Sequence, residues 1–249
     1  MFMRGFYNAT QAMIVKQREL DAVANNVNNI NTAGYRKDEV TLNTFMDELI
    51  WVQRRRAFHE GSFQQTYVEE SRTNFEQSNF EFTESRFDMA IAGNVYFNVV
   101  DRFGNTFQTR AGQFELDNDG YLTLGKAGRV QGQNGDIYIG TDDFVVTNDG
   151  TIRVENGVTD QFLLTYIPFD APAADVRKVG DNLFDYIGGA AMPADETYHI
   201  VQGAFEKSNV DGNKEMIKAI ELQRLFEANS SVIKAFEMIN NKSSDMAKL

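Results

Sequence analysis

The stretch FYNATQAMIVKQRELDAVANNVNNINTAGY, residues 6–35, decides how the rest of the chain is read. Phe6, Met13, Leu20 and Val27 recur every seven residues, with Ala9, Lys16, Val23 and Ile30 interleaved. All but Lys16 are apolar, which predicts a helix carrying the seam of a coiled coil. At about 1.5 Å per residue such a helix is roughly 35–40 Å long. Asn8 or Thr10 is the expected cap at its start. Asn31-Thr32-Ala33-Gly34 is the expected stop, with Gly34 free to take the left-handed conformation.

The end of the stretch is peculiar. Asn25, Asn26, Asn28, Asn29 and Asn31 crowd into one short run, a poor composition for a helix. A frayed, solvated helix end is the plain reading. The functional reading is that these amides, each with donors and an acceptor, bond neighbouring backbones in a packed assembly while Val27 and Ile30 hold the seam.

The opposite end of the chain repeats the design. From about Asn209 to Asn240, Leu222, Leu225, Asn229, Val232, Phe236 and Ile239 follow alternating spacings of three and four, and Met216, Ala219, Phe226 and Ile233 widen the stripe. Ser208 or Asn209 followed by Asp211 reads as a helix start, with acid at the positive end of the dipole. Lys218, Glu221, Arg224 and Glu227 alternate in sign beside the stripe and add modest local support.

Between the two ends, from about Phe75 to Gly203, turn signals separate short strand-like runs, as an all-β domain requires. Phe103-Gly104-Asn105-Thr106, Asp117-Asn118-Asp119-Gly120, Asn148-Asp149-Gly150 and Asn156-Gly157 are the turns, the last making the clearest hairpin. Phe162 to Phe169 reads as a buried strand and 171–196 as a less regular return. The expected class is therefore α+β, with long terminal helices pairing as a coiled coil around a central all-β domain. Its expected divisions are an N-terminal helix and Asn-rich turn over 1–40, an extended connector over 41–74, the β domain over 75–203 and a C-terminal helix over 204–249.

Composition narrows the chemistry. The 249 residues include 36 Asp and Glu, 24 Lys and Arg, no cysteine, and only His59 and His199, for a formal charge of -12. The lack of cysteine excludes disulfides, thiolate metal sites and cysteine nucleophiles, and the acidic balance argues against binding nucleic acid through its phosphates. No apolar run approaches the roughly 18 residues of a membrane span, and the N-terminus lacks the pattern of a cleavable secretory signal. Glu115, Asp117, Asp119 and Gly120 match the opening of a calcium loop, but Lys126 stands where the closing ligand belongs, so a hairpin turn is the better reading. Asp142-Asp143 is a weak candidate for a carboxylate pair, since neighbours on a strand face opposite ways. Arg54-Arg55-Arg56 is the one dense basic cluster.

Three separated segments then carry a resemblance. Leu20 to Lys37 resembles the N-terminal signature of bacterial flagellar rod proteins, the family that also includes the hook protein. Phe87 to Phe97, with Phe107, Thr109-Arg110-Ala111-Gly112-Gln113-Phe114 and Leu116 to Leu122, is similar to that family's central β motif. Gly203 to Asp211 with Gln223 to Ile233 resembles its C-terminal signature. Departures at Asn94-Val95-Tyr96-Phe97 and at Gln77-Ser78 touch local turns. Hook protein is disfavoured because its further outer domain has no room in residues 75–203, while proximal and distal rod paralogues both remain open.

The resemblance implies a structural subunit of the basal-body rod that assembles helically and transmits torque from motor to hook, with no enzymatic activity and no cofactor or metal. Implied partners are further copies, other rod and hook subunits, the flagellar type III export apparatus and surrounding ring proteins, without nucleic acid or membrane insertion. The implied location is the periplasmic basal body, reached without a cleavable signal, where absence of cysteine avoids stray crosslinks. The residues expected at the assembly interface are Phe6, Met13, Leu20, Val23, Asn25, Asn26, Val27, Asn29, Ile30, Asn31 and Gly34 at one end. At the other they are Leu222, Leu225, Phe226, Asn229, Val232, Ile233, Phe236 and Ile239. The competing expectations are a secreted enzyme acting on cell-wall glycan through two carboxylates and a glycan-binding adhesin with helical ends.

Overall fold

The computed structural model describes residues 2–44, 66–155, 157–168, 175–180, 182–188 and 197–246. Arg54-Arg55-Arg56, His59, Asn156, Phe169 and most of the 41–74 connector lie outside the described residues. The described chain is α+β and divides into two compact units, one of residues 1–28, 38–73 and 211–249 and the other of residues 29–37 and 74–210.

The first unit holds helix α1 (Phe2–Asn28), the antiparallel strands β1 (Asp38–Thr44) and β2 (Thr66–Thr73), and helix α2 (Gly212–Met246). Helix α1 begins before Asn8 and Thr10, so neither caps it. Thr10 is tolerated in the helix interior because its hydroxyl donates to the Phe6 carbonyl at 2.9 Å. Helix α2 does start at an acid: the Asp211 carboxylate accepts from the backbone N–H of Asn213 at 3.1 Å and of Lys214 at 3.3 Å. That is the geometry of an N-cap, which satisfies two of the donors a helix start leaves free. Strands β1 and β2 give partners to the two ends of a stretch whose sequence shows little periodicity. A bulge at Thr41 and Leu42 interrupts their register.

The second unit is all-β apart from its turns. Nine antiparallel strands form its main sheet. In spatial order, seven of them are β15 (Val176–Gly180), β16 (Leu183–Tyr186), β6 (Thr106–Thr109), β5 (Val95–Val100), β9 (Gly128–Gly132), β8 (Leu122–Leu124) and β7 (Glu115–Leu116). To these β10 (Gly135–Asp136) adds on β9 and β14 (Leu164–Tyr166) on β5. A smaller sheet joins β11 (Phe144–Val146), β12 (Thr151–Val154) and β13 (Gly157–Gln161), the last two forming the hairpin expected at Asn156-Gly157. Two further pairs close the unit: β4 (Met89–Ala92) with β17 (His199–Gln202), and β3 (Phe80–Phe82) with β18 (Ala204–Glu206). The expected strand from Phe162 to Phe169 is shorter than its apolar run. Leu163 is exposed and only residues 164–166 pair with β5.

Strand β5 explains the core. Successive side chains on a strand face opposite ways, and both faces here are covered. Val95, Phe97 and Val99 enter the main cluster with Met89, Phe114, Leu122, Ile152 and Phe162, while Tyr96 on the other face packs with Ile167 and Phe184. Phe97 meets Phe114 edge-on at 5.0 Å and Phe162 at 5.2 Å between ring centroids, a geometry aromatic rings favour. A run buried on both faces has no need to alternate, and hence residues 95–100 are apolar on both faces except for Asn98, whose buried amide oxygen accepts from the Thr165 hydroxyl at 2.8 Å. Among the described residues no helix is long and apolar enough to cross a membrane.

Candidate assembly interface

Helices α1 and α2 touch along the first unit. On α2 the covered positions include Glu215, Ala219, Leu222, Phe226, Asn229, Ile233 and Phe236, spaced alternately four and three apart. Of these Glu215 and Leu222 are buried and the others half-buried. Leu225, Val232 and Ile239, which the sequence also assigns to the seam, keep 48, 44 and 48% of their surface exposed and form a second row at seven-residue spacing. Met216, Ile217, Ile220 and Met238 are exposed as well. An apolar flank thus remains uncovered along α2 after α1 has taken its share.

The covered face of α1 is rotated from the expected one. Ala9, Val15, Glu19, Val23 and Asn26 are buried, Met13, Leu20 and Val27 are half-buried, and Phe6 is exposed together with Tyr7 and Ile14. Two polar residues enter this face because their bonds are made there. Glu19 accepts from the Lys16 ammonium at 2.9 Å. Asn26 donates from Nδ2 to the Asp38 carbonyl at 2.9 Å and accepts the Asp38 N–H on Oδ1 at 2.9 Å. Its amide therefore pairs with the start of β1 as a second strand would, and Nδ2 also reaches Glu215 of α2 at 3.4 Å. One of the clustered asparagines is thus a junction of three elements. Asn25 is exposed at the surface of α1.

The remaining expected residues at this end lie in the second unit. Asn29 and Ile30 are half-buried, Asn31 is exposed and Gly34 is buried. The Asn29 carbonyl accepts the Thr32 N–H at 3.2 Å, which turns the chain after α1. Gly34 has φ of +67° and donates its N–H to the Glu206 carbonyl at 2.7 Å. A Cβ there would stand 2.4 Å from the Arg110 carbonyl carbon, so both conformation and space require glycine.

A buried charge cluster escaped the sequence reading. Arg36 follows the turn, Arg110 follows β6 and Glu206 ends β18, and all three are buried. The Glu206 carboxylate accepts from Arg36 at 2.7 Å and from Arg110 at 3.3 Å, and also from the Ser78 N–H at 2.8 Å. Arg36 donates further to the Glu76 carbonyl and Arg110 to the carbonyls of Ile91 and Gly93. The Arg110 guanidinium also lies over the Tyr96 ring, 4.6 Å from its centre. Burial pulls the Arg36 pKa down, but the charge of Glu206 together with Tyr96 more than offsets it and holds it above the ordinary value. For Arg110 burial prevails and the pKa is lowered. The available signal was indirect: each residue lies in one of the three segments quoted above, but nothing in spacing announces that they meet.

Other chemistry weighed in the sequence resolves into structure. Asp117 Oδ1 accepts the N–H of Asp119 and of Tyr121 at 2.9 Å each, and Arg129 pairs with Asp117 and Asp119. The Asp117 carboxylate of the calcium-like loop thus pins a turn, and no cluster of metal-ligating side chains is found among the described residues.

Comparison with known proteins now specifies the class. Residues 6–36 match the family model for flagella basal body rod proteins, 90–154 that for the D1 domain of flagellar hook proteins FlgE/F/G, and 201–246 that for the C-terminal region of flagellar basal body rod FlgEFG proteins. The chain is 31% identical to the flagellar basal-body rod protein FlgG of Agrobacterium fabrum and 31% to FlgG of Bacillus subtilis, in each case over 93% of its length and 94% of theirs. It is 25% identical to the flagellar hook-basal body complex protein FlhO of Bacillus subtilis over 98% of both chains. The chain belongs to the flagellar basal-body rod family and is a structural rod component, not an enzyme. The expectations of a glycan-acting enzyme and of a glycan-binding adhesin find no support in these matches.

Proposed function

We propose that the chain assembles helically as a segment of the rod that carries torque from motor to hook, with α1 and α2 pairing as a coiled coil and their leftover apolar flanks packing against neighbouring subunits. The observation that carries this reading is the uncovered row Leu225, Val232 and Ile239 beside the covered row Leu222, Asn229 and Phe236. Two rows on one helix supply two partners, and only one partner is present within the subunit. Phe6, Tyr7 and Ile14 on α1 offer a matching apolar surface. Of the expected interface residues, Val23, Asn26 and Leu222 hold the subunit together, while Phe6, Asn25, Leu225, Val232 and Ile239 face neighbours. Met13, Leu20, Val27, Phe226, Asn229, Ile233 and Phe236 line the helix pair, and Asn29, Ile30, Asn31 and Gly34 set the turn beyond it.

Family membership supports assembly with other rod and hook subunits at the basal body. Passage through the flagellar type III export channel and contact with surrounding rings follow as parts of the same reading. Long helices with few buried side chains suit a chain that must travel extended and fold on arrival.

The test is a pair of substitutions in the organism's own gene. Leu225→Asp places a charge on the uncovered row and is expected to abolish rod completion and swimming while the purified subunit unfolds within about 0.5 kcal/mol of the parent, as exposed substitutions do. Val27→Asp is expected to abolish both assembly and part of the subunit's stability. Normal swimming in the Leu225→Asp strain would contradict the reading.

A further inference from the structure

We propose that Phe103 is a knob that seats in a depression on the β unit of a second copy of this chain, over Phe87, Phe114 and Leu116. The inference rests on the rod-subunit reading above and adds a contact made by the β units themselves.

The knob is unusual in its setting. Phe103 is 86% exposed, the most exposed large apolar side chain among the described residues. It stands at the tip between β5 and β6, and the turn beneath it is pinned. Asp101 Oδ1 accepts the N–H of Phe103 at 2.7 Å and of Asn105 at 2.9 Å, while its Oδ2 accepts from the Asn105 amide at 3.0 Å. The Asp101 N–H in turn donates to the Asn105 carbonyl at 3.0 Å. An aromatic held out on a rigid loop loses little freedom on binding, and buried aromatics dominate the energy of protein interfaces.

The hole is on the same unit. An open depression of about 510 Å³ is lined by Phe87, Phe114 and Leu116 and rimmed by Asp88, Glu115 and Asp142. Phe87 and Leu116 are only half-buried, so they offer apolar surface to an entering ring. The volume accepts a phenyl ring with room for a neighbouring side chain. That neighbour is Arg102, which is exposed and would bring a cation to a rim of carboxylates. Asp143 is not counted, since it already pairs with Arg86.

Charge complementarity selects the occupant: a cation beside an aromatic meets carboxylates around an aromatic floor, and both halves are present on every copy. Because knob and hole are different patches, the contact is head-to-tail, the kind that propagates into an open helical array instead of closing a dimer.

Benzoylphenylalanine placed at position 103 of the full chain tests this in the organism that encodes it. Basal bodies are purified and probed for the chain before irradiation, which judges the rod reading by itself. After irradiation the expected crosslink joins residue 103 to a peptide of a second copy containing residues 85–88 or 113–116. A crosslink elsewhere on the chain, to another protein alone, or none in rods that contain the chain overturns the contact. Should the bulky residue be kept out of rods, the charge pair decides. Arg102→Glu is expected to lose swarming and Glu115→Arg in the same chain to restore it. No loss, or loss without restoration, overturns the proposal.

Discussion

The β unit and the helical unit place their apolar residues differently. In the β unit, Phe97, Phe114, Phe144, Phe162 and Phe184 are all buried among their own neighbours, and even the charges of Arg36, Arg110 and Glu206 have found partners inside it. On α2, only Glu215 and Leu222 are buried among the described side chains, and seven large apolar residues stay exposed. Burial of apolar surface is the main favourable term in folding; the β unit has built a closed aromatic core and keeps its exposed apolar residues, such as Phe82, Phe103, Val158 and Ile187, at scattered positions, while α2 leaves a continuous flank for assembly. The difference separates two jobs: a body that must be finished before it is useful, and a pair of helices that is finished by being used.

Breaking the closed unit should produce the largest effect. Glu206→Gln keeps the shape of the side chain and removes its charge, which leaves two buried guanidinium groups without a counter-ion. Loss of one partner from a buried ion cluster costs about 3–5 kcal/mol, so the urea midpoint of the β unit is expected to fall sharply. Adding Arg36→Met to that variant is expected to recover part of the loss. A midpoint unchanged by Glu206→Gln would show that the cluster contributes no net stability. Gly34→Ala comes next. A left-handed residue with a side chain costs about 1–3 kcal/mol, and the contact with the Arg110 carbonyl adds to it. Thermal unfolding of the variant measures the sum.

The smallest effect is expected at the start of α2. The Lys214 N–H, followed by the Lys214 ammonium, holds the Asp211 carboxyl below its ordinary value of 3.8. Its folded pKa lies below the unfolded one, so its contribution is complete above the unfolded value and disappears as pH falls through the folded value. In Asp211→Asn the cap survives without that dependence. Stability of the parent and the variant, followed by the helical circular dichroism signal, should therefore converge on acidification. Curves that stay parallel to low pH would remove Asp211 from the account.

What could be read from the sequence was local. The helices at the two ends, the turns at 103–106, 117–120 and 148–150, the acid start at Asp211 and the left-handed Gly34 each follow from neighbours along the chain. What could not be read depends on distant partners. Counting apolar residues put Phe6 on the inner face of α1, where it is exposed, while Asn26 lies there because Asp38 of β1 satisfies its amide. Likewise Arg36, Arg110 and Glu206 look like surface charges until the β unit brings them together. The sequence placed Leu225, Val232 and Ile239 in the same seam as Leu222, Asn229 and Phe236, and a period of seven alone cannot say which row faces inward. The two rows are separated only when α1 is in place.

Hydrogen–deuterium exchange of the full-length chain, measured free in solution and again in purified rods, tests the contrast most directly. Helix segments with few buried contacts open at low cost. In the free chain, amides of residues 223–246 are expected to exchange quickly while those of 95–100 and 106–109 stay protected. In rods both sets should be protected. Equal protection of α2 in the two states would contradict the claim that its exposed row is completed by neighbouring subunits.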